Sequence, residues 1–345
     1  TSSGGKTRLR AAAVCPPGFE ELCSNELKAL GCRPRPAGPG VVEFDANARQ
    51  LYSANVWLRT ASRVLVRVAT FRATDFFHLQ DHASAIDWSA WIPPGHAPQF
   101  RISTNESKLY HTKAIAQRLH QVSAPPSIGE AEQSFIVRID RNTVTLSADA
   151  SGEALHRRPW RTEIGSAPLR PNLAAAMLLA AAWDPSTDLV DPFAGSGTIG
   201  IEAALLARGL PPGGEREFAF HHWHNFEPGS WASVVASIDA SVDAAEQRGV
   251  GTVLLADRDP AVIETARANA ERAGVADGIE FAGQVIGHLK ARPGPGLVAT
   301  NPPYGRRLGR DVLTGLYGRL GAVVRERLPA HDLSVLTTDV ELARA

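Results

Sequence analysis

Several features of common protein classes are missing from this sequence. It has no apolar run near the ~18 residues of a membrane span and no charged-then-apolar leader at its start. It also has no Cys-x-x-Cys pair among its three cysteines, Cys15, Cys23 and Cys32, and an odd count argues against a closed disulfide framework. We therefore expect a cytoplasmic protein with no membrane association and no metal site. We also expect a monomer.

What remains is an ordinary globular composition with an uneven charge distribution. The 345 residues are 44% hydrophobic and 21% charged, and the formal net charge is zero. Residues 1–165 hold 20 Lys and Arg against 15 Asp and Glu, whereas residues 166–345 hold 16 against 21. A length of 345 residues suggests two or three domains. A basic first half fits a region that contacts nucleic acid, although chance explains an offset of this size equally well.

The first half of the chain has the pattern of small α+β units. Apolar spacing predicts a helix over 18–30 and another over 48–61, with strands at 41–45 and 63–71. A second unit follows, with a strand at 100–104 and a helix at 111–122. A hairpin is expected from strands 135–140 and 143–149 around Arg141-Asn142.

From about residue 172 short apolar strands alternate with helices. Strands are expected at 189–193, 252–257, 279–283, 297–300 and 333–339. This alternation predicts an α/β fold with a parallel, doubly wound sheet. In such sheets ligands bind beyond the carboxyl ends of the strands, so the residues that follow the strands are the candidates for chemistry.

The first candidate is the turn Asp191-Pro-Phe-Ala-Gly-Ser-Gly-Thr198. Gly195 and Gly197 permit a tight turn and let a ligand approach the backbone. The turn matches neither the dinucleotide-binding nor the P-loop glycine pattern, and it has no lysine. The alternative is an ordinary strand–helix turn without a ligand.

The second candidate is Asp257, at the end of the strand that follows. An acid at this position can accept hydrogen bonds from a ribose diol. Asp259 precedes Pro260 and is expected to be the N-cap of the next helix. A purely structural capping role is the alternative for this motif.

The third candidate is Asn301-Pro302-Pro303-Tyr304-Gly305, after another strand. The prolines stop the strand and stiffen the turn. The Asn301 amide oxygen and the Pro302 carbonyl can accept two hydrogen bonds from one NH₂ group, and Tyr304 can stack on a base. Two acceptors would orient the weakly nucleophilic lone pair of an exocyclic amine toward an electrophile. A plain Pro-Pro turn is the alternative.

With these motifs in place, the chain resembles a known family. DPFAGSGT, LLADRD and NPPYG together look like a Rossmann-like class I S-adenosylmethionine-dependent methyltransferase that modifies an amino group. LHRRPWR (155–161) and APLRPNLAAAML (167–178) resemble RNA guanine-N2 methyltransferases of the RlmL type and their tRNA-acting relatives. The aromatic segment 218–231 also resembles an insert of that family.

The resemblance implies a domain plan. Residues 1–75 would form a ferredoxin-like domain, 76–152 a THUMP RNA-binding domain, 153–172 a connector and 173–345 the methyltransferase domain. A full domain of this class continues past the last predicted strand with a helix and a strand hairpin, which are not in this sequence.

The resemblance also implies site roles. Asn301, Pro302 and Tyr304 would hold the target base. The family usually has an acid near the adenine amine, and that position falls on Gln284 or Val285 here, of which Gln284 could act as the acceptor. The residues implied to bind S-adenosylmethionine are Asp191, Phe193, Gly195, Gly197, Thr198, Asp257, Arg258 and Gln284.

Positively charged residues outside these motifs are candidates for RNA contact. A target base inside a helix must leave its stack, so cationic contacts around it are expected. Trp160, between two of these arginines, could stack on a base. A solvated surface role is the alternative for each. The candidates are Arg101, Lys108, Arg157, Arg158, Arg161, Arg306 and Arg307.

The leading hypothesis is methyl transfer from S-adenosylmethionine to the N2 amine of a guanosine in structured RNA. Ribosomal RNA of the large subunit is the first choice and tRNA the next. An RNA adenine amino-methyltransferase is the second hypothesis, because the Asn-Pro-Pro-Tyr motif serves that reaction too. A non-catalytic RNA-binding factor is the third. His221, His222 and His224 suggest a metal site only weakly, since neighbouring aromatic residues favour packing of the insert.

Overall fold

The structure is a computed structural model, and it describes residues 8–123, 131–162, 169–303 and 309–344. No helix in these ranges is long and apolar enough to cross a membrane. The chain divides into two compact units. The first contains the residues up to Leu155 and the later segment Glu215–Val235; the second contains His156–Gly214 and the residues from Ala236 onward.

The first unit combines a seven-stranded sheet with four helices. The strands are β1 (Leu9–Val14), β2 (Arg35–Gly38), β3 (Val41–Ala46), β4 (Arg63–Arg72), β5 (His96–Asn105), β6 (Ala131–Asp140) and β7 (Thr143–Asp149). The helices are α1 (Glu20–Ala29), α2 (Ala48–Trp57), α3 (Phe76–Ser84) and α4 (Thr112–Ser123).

The seven strands lie in the order β2-β3-β1-β4-β7-β6-β5. Every neighbouring pair is antiparallel except β5 with β6, which is parallel. Apolar residues alternate with polar ones, as expected for a sheet with one covered face. Val42, Phe44, Phe135 and Val137 are buried on the covered face. The sequence predicted most of these strands, including the 135–149 hairpin, but it did not predict β1, β2 or α3. The Pro/Gly-rich residues 34–40 are typical of a turn, yet Arg35–Gly38 pairs with β3.

The hairpin turn and the end of α2 show how local chemistry sets the boundaries. Arg141 and Asn142 have φ of 46° and 62°, the left-handed pair that suits a two-residue hairpin. The helix predicted over 48–61 ends at Trp57 instead. The half-buried Glu26 carboxylate accepts hydrogen bonds from the backbone N–H groups of Arg59 (2.7 Å) and Thr60 (3.2 Å). These two N–H groups bond to a side chain rather than to helix carbonyls, so α2 ends before Arg59.

The aromatic insert belongs to the first unit. Phe220 stacks on Tyr52 with ring centroids 4.3 Å apart, and the Trp223 indole N–H donates to Gln133 Oε1 at 2.8 Å. The His221 ring lies 4.5 Å from the rings of Phe220 and Trp231, centroid to centroid, and burial lowers its pKa. These contacts agree with the packing interpretation of the insert. The domain limits at 75, 152 and 172 stay predictions.

The second unit is built on a five-stranded parallel sheet. The strands are β8 (Asp188–Asp191), β9 (Val253–Asp257), β10 (Ile279–Gly283), β11 (Gly296–Thr300) and β12 (His331–Val335). The remaining helices are α5 (Pro171–Ala180), α6 (Thr198–Ala207), α7 (Pro228–Arg248), α8 (Pro260–Arg272), α9 (Arg310–Arg327) and α10 (Val340–Ala343); α7 begins in the insert and continues into this unit.

The predicted doubly wound sheet is confirmed. The strand order is β10-β9-β8-β11-β12, and all pairs are parallel. Leu189 and Leu255 share a core cluster with residues of α5, α6 and α8. Val190 and Val298 share another with residues of α9. Both faces are therefore covered, which explains the continuous apolar character of these strands.

Candidate active site

The central strand of the parallel sheet positions the candidate site. β8 lies between β9 and β11, so the residues that follow these three strands meet at one edge. They are the turn that begins at Asp191, the acid Asp257 and the amide Asn301. The sequence predicted that these motifs follow strands, and the strand order brings the three strand ends side by side.

Two glycines shape the turn for different reasons. Gly195 has φ of 52°, and a Cβ there would meet nothing within 4 Å, so the turn faces open space on this side. Gly197 has φ of 82°, and its Cβ would lie 2.9 Å from Ala266 Cβ on α8. Gly195 thus leaves room for a ligand, whereas Gly197 lets α8 approach the turn and begins α6 as its N-cap. Phe193 is half-buried in the same turn, and Thr198 is buried.

Asp191 is a buried carboxyl group at the start of the turn. One oxygen, Oδ1, accepts hydrogen bonds from the Thr300 hydroxyl (2.6 Å) and the Phe193 backbone N–H (3.1 Å). Burial, with a smaller contribution from the Asp257 charge, outweighs these two bonds and raises the pKa of Asp191 to about 7. The side chain is thus part protonated near neutral pH.

Asp257 is fixed by the backbone around it. Its Oδ2 accepts from Gly195 N–H (3.2 Å) and its Oδ1 from Asp259 N–H (3.1 Å). Each carboxylate oxygen can accept a second hydrogen bond, so the group can still bind a diol. Asp259 caps α8 by accepting from Ala261 N–H at 2.9 Å, which confirms its predicted role. Arg258, between the two acids, is exposed.

Gln284 follows β10 at the same sheet edge. Its backbone N–H donates to the Asp257 carbonyl at 2.8 Å, and the residue is half-buried. This places Gln284 beside the acid predicted to bind the ribose. Its proposed contact with an adenine amine stays a prediction.

Asn301 follows β11 and presents an acceptor without a partner. Its Oδ1 is buried and receives no hydrogen bond from the described residues, a costly state for a buried polar atom. Pro302 is buried behind it. A ligand that donates an N–H group at this point would satisfy the amide oxygen. Tyr304, Arg306 and Arg307 lie outside the described residues.

A pair of side chains on α8, which the sequence did not single out, supports the turn. The buried Asn269 donates its Nδ2 hydrogen to the Ser196 carbonyl at 3.0 Å. Its Oδ1 accepts from Arg272 at 2.5 Å, and Arg272 Nε donates to the Trp160 carbonyl at 3.1 Å. Asn269 thus fixes the middle of the turn, and Arg272 ties the segment before α5 to the same point.

The cationic candidates have different environments. Arg101, Lys108 and Arg157 are exposed. Arg161 is half-buried, its Nε and one terminal nitrogen have no partner among the described residues, and burial lowers its pKa.

The structure corrects the expectation for Arg158. Its side chain is 1% exposed and pairs with the fully buried Glu202 of α6 at 2.8 Å, so it cannot reach a phosphate. Trp160 is likewise part of the core beside α6 and cannot stack on a base. Both positions connect the segment to α6 instead.

The parallel sheet, the glycine turn and the polar groups at its edge define a class I methyltransferase domain. Residues 158–345 match the family described as RMKL-like, methyltransferase domain, and residues 10–65 match the RlmL ferredoxin-like domain. The chain belongs to this RMKL-like methyltransferase family. S-adenosylmethionine is the methyl donor of this class, so it is the cofactor of the domain. The resemblance inferred from the motifs is confirmed.

Two curated relatives match nearly the whole chain. The ribosomal RNA large subunit methyltransferase K/L of Marinobacter nauticus is 34% identical over 96% of this chain, which spans 49% of the relative. The putative RNA methyltransferase YpsC of Bacillus subtilis is 31% identical over 96% of this chain and 89% of its own length. The chain therefore spans about half the length of the first of these relatives.

Two solved structures share the fold. A predicted N6-adenine-specific DNA methylase from Listeria monocytogenes has a TM-score of 0.90 and 29% identity, covering 99% of this chain and 91% of that one. The putative methyltransferase SMU.472, solved in complex with SAH, has a TM-score of 0.81 and 27% identity, covering 98% of this chain and 92% of that one.

Among the described residues, no group of three potential metal ligands is present.

The residues at the sheet edge fit the cofactor. The open side of Gly195 leaves space beside the turn, and the carboxylate of Asp257 is oriented by two backbone donors. Gly195, Phe193 and Asp257 would hold S-adenosylmethionine. The Asn301 Oδ1, which has no partner among the described residues, could accept a hydrogen bond from a second ligand that carries an amine.

Proposed function

We propose that this chain methylates the exocyclic N2 amine of a guanosine in structured RNA, with large-subunit rRNA as the substrate. The buried Oδ1 of Asn301, which has no hydrogen-bond partner among the described residues, is the observation that carries the proposal. The names of the two curated relatives support an RNA substrate, and the first of them supports rRNA. A cytoplasmic monomer is part of the same proposal.

The bound cofactor supplies an electrophilic methyl group. Asn301 Oδ1 and the Pro302 carbonyl accept the two N–H groups of the target amine and orient its lone pair. This positioning lowers the barrier because the reacting atoms start aligned. No general base is needed before attack, because the amine proton becomes acidic only after the new bond forms. That proton then leaves to water.

An amine on adenine is the second candidate, because the Listeria protein is named as a predicted N6-adenine-specific DNA methylase and the same two acceptors suit either base. A non-catalytic RNA-binding factor is disfavoured, since it has no use for a buried acceptor without a partner. A tRNA substrate would keep the chemistry and change only the RNA.

Transfer of radiolabelled methyl groups tests the proposal. Purified protein is incubated with labelled S-adenosylmethionine and total RNA from a strain that lacks the gene. The RNA is then separated by size and digested to nucleosides. We expect N2-methylguanosine in large rRNA. The same nucleoside in tRNA would replace the substrate, and methyladenosine would replace the target base. No transfer by a protein that binds the cofactor, to free RNA or to ribosomal precursors, would favour the binding factor.

A further inference from the structure

One face of the seven-stranded sheet carries three arginines in a row across its strands. The register pairs Arg72 of β4 with Thr143 of β7, and Thr145 of β7 with Arg138 of β6. Arg138 in turn is level with Ser103 of β5, two residues after Arg101. Paired residues point to the same side of a sheet. All three arginines therefore lie on the face opposite the buried Phe135 and Val137.

This part of the face is open and polar. Arg72, Arg101 and Arg138 are all exposed, and the side chains between them are mainly the hydroxyls of Thr143, Thr145 and Ser103. Ser147 and Asp149, further along β7, are buried, so the open area begins at Thr145. β4 and β5 are three strand spacings apart, which spreads the positive charge over about 14 Å. We call this surface, formed by Arg72, Arg101, Ser103, Arg138, Thr143 and Thr145, the arginine face.

The arginines of this face form no ion pair with a described residue, although Arg138 has an acidic neighbour: the Asn105 side chain, Arg141 and Arg138 together hold the pKa of Asp140 below its ordinary value. Arg101 donates to Gln99 Oε1. Asp140 pairs with Thr143 and so lies on the same face; it accepts from Asn105 at 2.8 Å and lies 3.8 Å from Arg141. Glu132, at the opposite end of β6, accepts from Gln99.

The other half of the same sheet is different. There Arg67 pairs with Glu43 at 2.9 Å and Arg35 with Asp45 at 3.4 Å. The chain as a whole has no net charge, so three arginines beside a single acid, Asp140, give this face a local positive charge. A row of guanidinium groups among hydroxyls is suited to phosphate oxygens, which accept from both.

We propose that the arginine face docks the phosphate backbone of the RNA substrate. The inference rests on the proposed function and adds Arg72 and Arg138 to it. No aromatic side chain is among the described residues of this part of the face, so it has no platform for base stacking. The contact is therefore to the backbone and independent of sequence, and it positions the RNA without specifying the target base.

Binding of a fluorescein-labelled RNA duplex at several salt concentrations tests this docking. The variant Arg72→Gln/Arg101→Gln/Arg138→Gln removes three charges from the face. Each lost phosphate contact reduces the slope of log affinity against log salt by about 0.7 to 0.9. We therefore expect the slope to fall by about 2 to 3 and the affinity to drop at every salt concentration.

A matched control removes the same charge elsewhere. Arg319, Arg325 and Arg344 are exposed on the second unit, and their change to glutamine should leave the slope within 1 of wild type. An equal reduction of the slope in both triple variants, or an unchanged slope in the first, would overturn the proposal that this face binds RNA. Wild-type protein that binds SAH but no RNA would instead refute the RNA substrate. SAH binding by each variant verifies its fold.

Discussion

Thr300 donates its hydroxyl hydrogen to Asp191 across 2.6 Å, and both side chains are buried. Thr300 ends β11 and directly precedes Asn301, while Asp191 ends β8 and begins the glycine turn. One hydrogen bond thus joins the strand end that presents the acceptor amide to the strand end that supports the cofactor turn. The two halves of the site are therefore held in a fixed register.

Replacing Asn301 by alanine removes the amide acceptor. We expect Asn301→Ala to lower kcat for methyl transfer by at least about 100-fold, because the target amine loses its orientation. Affinity for RNA and for SAH should stay within a few-fold of wild type, since other residues make those contacts. Transfer rates and binding constants on the same preparation check this. Unchanged turnover would remove Asn301 from the reaction.

The support from α8 predicts an effect on cofactor affinity. Asn269→Asp removes the donor to the Ser196 carbonyl but keeps the acceptor for Arg272. The loss of one hydrogen bond, about 1 kcal/mol, should weaken SAH binding by about fivefold to tenfold. Titration calorimetry well below the melting temperature measures this. Glu264→Ala, with a 72% exposed side chain on the same helix, is the control and should bind SAH as wild type does.

The buried pair of Arg158 and Glu202 predicts a loss of stability. Arg158→Met leaves a buried carboxylate without this partner, so the free energy of unfolding should fall by about 3 to 5 kcal/mol. Replacing both residues, in Arg158→Met/Glu202→Leu, should recover much of the loss. Urea unfolding followed by tryptophan fluorescence measures both. If Arg158→Met instead weakened RNA binding at unchanged stability, the pair would not have the structural role assigned here.

The raised pKa of Asp191 predicts a pH dependence of stability. This carboxyl group has a pKa of about 7 when folded and its ordinary value of 3.8 when unfolded. Between these values the folded state binds the extra proton, so the contribution of Asp191 to the free energy of unfolding should fall as the pH rises from about 4 to about 7. Asp191→Asn should remove this fall, which amounts to at most about 1.4 kcal/mol per pH unit. Urea unfolding of both proteins across this range measures the slopes, and parallel curves would contradict the assignment.

Much of the site follows from sequence because its chemistry is local. The Asp259 cap, the strand ends at Asp257 and Asn301, and the hairpin at Arg141 each depend on a few neighbouring residues. Arg158 was misjudged because its partner Glu202 is 44 residues away, and a charged stretch gives no sign of which side chains point inward. Asn269 was missed because an asparagine within a helix has no local motif.

The arginine face illustrates the same limit. Arg72 and Arg138 are 66 residues apart in sequence, and only the pairing of β4, β7 and β6 places them on one surface. Period-2 alternation indicates that each of these arginines lies on the side of its strand that points away from the hydrophobic core. It does not indicate which strands are neighbours, so a surface built across strands cannot be recognised before the sheet order is known.

The placement of the aromatic insert has a consequence for the order of synthesis. The first unit takes Phe220 and Trp223 from a segment that follows β8 and α6 of the second unit. A ribosome that has completed β7 has therefore not yet made the residues that contact Tyr52 and Gln133. The first unit can therefore complete its core only after the glycine turn of the second unit has been synthesised. For the same reason, cutting the chain at one position cannot yield either unit whole.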